Sequence, residues 1–149
     1  MLKHAFRLCV LGALLPMLAG AAESATLSPA ALQAWLQKYG AAWEARDPAA
    51  AGRLFSERAI YHEMPFDAPM QGRAAIEDYW RKVTAGQRDV EFEYRVIAVN
   101  GNTGVAHWSA TFEQAADGAG AALDGVFVLE FDASGRCSAL REWWHYKAG

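Results

Sequence analysis

The hydrophobic period of this chain changes at Gly86, and that change restricts it to a few architectures. Upstream, apolar residues recur three and four apart: Leu32, Leu36, Tyr39 and Trp43 make one helical stripe, and Ile76, Tyr79, Trp80 and Val83 another. Downstream the pattern stays strand-like to the end, with side chains alternating in twos. Helices followed by strands with short turns predict an α+β domain: three N-terminal helices packed on a strongly curved, mostly antiparallel mixed sheet. Between helices and a twisted sheet lies a wedge-shaped space, which a pocket, a filled core or both can occupy.

Local signals place the elements. Ser28-Pro29 and Asp47-Pro48 each combine a capping side chain with proline at the first helical position, the second opening a short helix through Leu54-Phe55. A strand over residues 59–64 follows, then a loop punctuated by Pro65, Pro69 and Gly72. Strands over 90–99 and 103–114 flank Asn100-Gly101-Asn102 and read as a hairpin. Residues 117–120 form a flexible tip, 123–131 a third long strand, 132–135 a turn, and 137–146 the last strand.

The 149 residues are 53% hydrophobic, enough for one ordinary core. A net charge of −3 with both signs interspersed argues against nucleic acid as a partner. Lys3, His4 and Arg7, the apolar run 8–18 and Ala19-Gly20-Ala21-Ala22 have the layout of a secretory signal. The expected organisation is therefore a signal peptide at 1–22 and a single domain at 23–149, periplasmic or secreted. No run reaches the roughly 20 apolar residues of a membrane span, so none is expected after cleavage. Cys137 is then the only thiol, no internal disulfide can form, and the core must hold the fold.

Strand parity sorts the side chains. Trp108, Ala110 and Phe112 are expected inward with His107, Ser109 and Thr111 outward. Phe127, Leu129 and Phe131 face in against Val126, Val128 and Glu130. On the last strand Leu140, Glu142 and Trp144 face in, and Arg141, Trp143 and His145 out, so that Glu130 and Arg141 meet as an outer ion pair. Val126, Val128 and Trp143 give the outer face an apolar content that predicts a homodimer through the sheet. In Tyr61-His62-Glu63, Tyr61 and Glu63 point into the wedge.

A glutamate brought into an apolar wall has its pKa raised by desolvation and becomes an acid or base. The walls expected around Glu63 are Trp43, Tyr61, Phe66, Trp80, Trp108, Phe112, Phe127, Leu129, Glu142 and Trp144. Indoles and phenyl rings in this number suit a small apolar or ring-containing molecule. His62, His107 and His145 fall on the outer parity without a ligand-spacing motif, so neither a metal nor a cofactor is predicted.

Tyr39-Gly40-Ala41-Ala42-Trp43-Glu44-Ala45-Arg46-Asp47, Leu54-Phe55, Gly72-Arg73-Ala74-Ala75-Ile76 before Tyr79-Trp80, and the closing turn Phe131-Asp132-Ala133-Ser134-Gly135-Arg136 carry a resemblance. Together they resemble the SnoaL-like branch of the nuclear transport factor two-like superfamily, over essentially the whole expected mature chain. That resemblance implies a cone-shaped fold with a central pocket. The first half is similar to ketosteroid isomerase, which implies for Tyr39 the role of oxyanion-binding tyrosine and for Glu63 that of general base. The isomerase's protonated aspartate corresponds to Phe127, so the second oxyanion donor is missing there. The resemblance implies acid/base chemistry of isomerase, dehydratase, cyclase or hydrolase type, or else a noncatalytic dimeric ligand carrier or protein-interaction module.

Overall fold

The computed structural model describes residues 26–149; the expected signal segment lies outside the described residues. Ser28 caps α1 (Pro29–Glu44), its hydroxyl accepting the Ala31 N–H at 3.1 Å, and Pro29 fills a position that needs no N–H donor. Asp47 caps α2 (Pro48–Arg53) in the same way, accepting from Ala50 at 2.9 Å. This helix is shorter than its sequence pattern implies. Leu54 gives its carbonyl to the Cys137 N–H at 2.9 Å, and Phe55 already stands in parallel register with Cys137, so β1 (Phe55–His62) begins at once. A two-residue strand, β2 (Met70–Gln71), folds back on β1 inside the expected loop.

After α3 (Arg73–Ala85) come β3 (Gln87–Asn100), β4 (Thr103–Gln114), β5 (Gly120–Phe131) and β6 (Cys137–Ala148). The sheet order is β2-β1-β6-β5-β4-β3, with β1 and β6 parallel and every other pair antiparallel. The three helices pack against this curved sheet as the period change predicts. Trp108, Ala110, Phe112, Phe127, Leu129, Phe131 and Leu140 are buried on its inner face. The stripe Leu32, Leu36, Tyr39 and Trp43 packs α1 into the same core. The helix comes so close to β3 that a Cβ on Gly40 would stand 2.5 Å from Phe92 Cδ1, which only glycine avoids.

One expected contact is absent. Glu130 stands opposite Ala139 and Arg141 opposite Val128, and among the described residues the two charges form no ion pair. Parity puts both on the outer face, but register sets them on a diagonal. Among the described residues no helix is long and apolar enough to cross a membrane.

Candidate functional site

The wedge between α1, α3 and the inner face of the sheet holds a cavity of about 150 Å³. That volume matches one benzene-sized ring or an equally compact group. Its polar centre is assembled by the parallel pairing of β1 with β6. Tyr61, on the inward parity of β1, donates its hydroxyl hydrogen to Glu142 Oε1 at 2.5 Å, and the Tyr39 hydroxyl of α1 lies 3.4 Å from that of Tyr61.

Glu142 is only 4% exposed, and its burial dominates its chemistry. Desolvation lifts its pKa to about 8 against the lowering effect of the Tyr61 hydrogen bond, and the charge of Glu63 adds to the rise. At neutral pH it is mainly a carboxylic acid. With Oε1 accepting from Tyr61, the acid proton belongs on the other oxygen. Phe127 lies directly opposite Glu142 in the β5–β6 register.

Glu63 follows the end of β1 and is half-buried at the rim. Burial raises its pKa, the facing Tyr79 hydroxyl pulls it down less strongly, and Asp67 pushes it up again. The two carboxyls therefore occupy unlike surroundings: one sealed and hydrogen-bonded, one open to approach. Trp43 Nε1 donates to Gln87 Oε1 at 2.7 Å, whereas the buried indole N–H groups of Trp80 and Trp108 have no acceptor among the described residues.

Nine of the expected residues line this cavity: Tyr39, Trp43, Tyr61, Glu63, Trp80, Trp108, Phe112, Glu142 and Trp144. Phe66 does not. It is 98% exposed, because β1 ends at His62 and the chain beyond Glu63 turns outward, with His62 Nε2 against the Asp67 carbonyl at 2.8 Å. Phe127 and Leu129 face inward as expected but form the core beneath the site. Phe127 is covered by Tyr39 and by Trp108, whose ring stacks on it with centroids 5.0 Å apart.

Tyr79 and Gln87 line the cavity without having been picked out as site residues. Tyr79 sits in the α3 stripe, where it reads as core, and its hydroxyl beside an inward carboxylate was the available signal. Gln87 has no signal in the sequence, since its role depends on Trp43, 44 residues away. On the outer face His107 Nε2 lies 2.9 Å from Asp124 Oδ2. Among the described residues no group of three His, Cys, Asp or Glu side chains is placed to hold a metal ion.

Solved structures share this architecture. A Mycobacterium tuberculosis protein is similar at a TM-score of 0.71 and 12% identity, over 83% of this chain and 99% of that one. The epoxide hydrolase/cyclase-like enzyme SalBIII, described for pyran ring formation in the polyether salinomycin, is similar at 0.67 and 17%, over 80% and 94%. A Catenulispora acidiphila protein with a ketosteroid isomerase-like fold, solved in complex with trimethylamine, is similar at 0.65 and 17%, over 78% and 86%. At such identities the likeness is one of fold. Sequence comparison with curated proteins finds no match. The SnoaL-like domain profile matches residues 36–140, a span running from the middle of α1 into β6. By that match the chain belongs to the SnoaL-like domain family.

Proposed function

We propose that the aromatic cavity binds a small, ring-sized molecule and that Glu63 moves a proton on it. The observation that carries this reading is the placement of two carboxyls of unlike environment in one aromatic cavity. A pair whose surroundings separate their protonation states divides into acid and base. Glu63, half-buried and open at the rim, takes the proton. Glu142, protonated and anchored by Tyr61, donates a hydrogen bond to charge developing on the substrate, with Tyr39 behind Tyr61. Such a set serves isomerase, dehydratase, cyclase or hydrolase chemistry, and the relation to SalBIII and to the isomerase-like fold supports that range.

Native mass spectrometry of the purified protein for a retained ligand, followed by turnover of that ligand, tests the reading. Glu63→Gln should lower turnover by about 10²-fold or more while leaving binding nearly intact, the loss expected on removing a general base. Unchanged turnover removes Glu63 from the mechanism. A noncatalytic carrier is the second reading, favoured by the phenyl ring of Phe127 where the isomerase has its acid. It predicts ligand retention without turnover. We place the mature protein in the periplasm or outside the cell, as a homodimer joined through the outer sheet face. The N-terminal mass of exported protein, expected to begin after Ala21 or Ala22, tests the first half of that statement.

A further inference from the structure

We propose that the cavity takes a small organic cation, an alkylated ammonium group held against indole faces with the Glu63 and Glu142 carboxyls as its counter-charges. This rests on the reading of the cavity as a ligand site and names the class of ligand. The lining carries two carboxyls and no lysine, arginine or histidine. The cavity thus offers an anion no positive charge, whereas a cation is matched by Glu63 and by Glu142 once it ionises. Trp43, Trp80, Trp108 and Trp144 all line the same space. The negative face of an indole attracts a cation within about 6 Å of the ring, most strongly where water is excluded.

Size and solvation narrow the class. A cavity of about 150 Å³ has room for one compact head group. A bare metal ion would find no three-ligand set among the described residues, and a primary ammonium would need three hydrogen-bond acceptors. An alkylated ammonium needs few or none, and its alkyl groups pack on the rings. The rival is a neutral carbonyl compound accepting from the free indole N–H of Trp80 or Trp108.

The groups facing Glu142 are Tyr61 and Glu63 from β1 and its C-terminal extension, Tyr39 from α1 and Tyr79 from α3, while β5 presents Phe127. No positive charge is among them, so a cation in the cavity favours the ionised form of Glu142 and its binding strengthens as pH rises. Calorimetric titration of the full chain with choline, and with its uncharged isostere 3,3-dimethylbutan-1-ol, tests this at pH 6 and pH 9.

The expected result is choline binding at least roughly tenfold tighter than the isostere at pH 9, with that preference shrinking at pH 6. Glu142→Gln should remove the pH dependence. The isostere binding as tightly as choline at both pH values overturns the cation while leaving the cavity a ligand site. Neither compound binding up to about 10 mM also overturns it, and p-cresol, titrated alongside, then reports whether the cavity accepts a ring.

Discussion

Burial and a hydrogen bond act on Glu142 in opposite directions, and burial prevails. A carboxyl that holds its proton more tightly in the folded than in the unfolded chain stabilises the fold fully below the ordinary carboxyl pKa. That contribution is lost as pH rises toward about 8. Unfolding free energy should therefore fall between about pH 5 and pH 8, by up to about 1.4 kcal/mol per pH unit. Denaturant midpoints measured across that range should flatten in Glu142→Gln, which keeps the acceptor for Tyr61 and cannot ionise. Tyr61→Phe has a different outcome. It leaves Glu142 Oε1 buried without its donor, and should cost about 1–3 kcal/mol in urea unfolding at pH 6. It should also shift the pH-dependent loss upward, since the Tyr61 bond is what lowers the Glu142 pKa.

Among the elements, β5 controls how much room the cavity has. Gly125 stands opposite Trp108 on one side and Trp144 on the other, and a Cβ there would lie 2.6 Å from the Trp143 carbonyl oxygen and 3.0 Å from Trp108 Cε2. Gly125→Val should drive those indoles toward the cavity, costing about 1–3 kcal/mol and abolishing ligand uptake, as thermal unfolding and p-cresol titration would measure. The elements themselves were largely legible: both proline-led caps, the period change at Gly86 and the inward parity of β4, β5 and β6 need only neighbouring residues. What could not be read needs distant ones. The two-residue β2 exists through its partner β1, and Phe66 leaves the alternation because the strand that would carry it ends at His62.

At the scale of the molecule, the outer sheet face carries Trp143, 49% exposed, and Ile97, 50% exposed, beside half-buried Val126 and Val128. If that face joins two copies, Trp143→Glu should shift sedimentation toward monomer while leaving the cavity's ligand affinity within about twofold, because Trp143 points away from it. The face was visible in alternation alone, whereas the polar centre of the site was only half visible. Glu63 and Glu142 could each be assigned inward, but the bond that defines Glu142 joins it to Tyr61 across 81 residues of chain. No local pattern records such a meeting.

Parallel pairing of β1 with β6 also orders events in time. β1 precedes β6 along the chain, and the antiparallel hairpins between them can form while β1 still lacks its long partner. The cavity is consequently among the last things the fold acquires: until β6 docks, Tyr61 has no Glu142 to bond and the aromatic wedge stands open on one side. A copy without β6 cannot bind, and the docking of β6 on β1 is itself the step that seals the pocket.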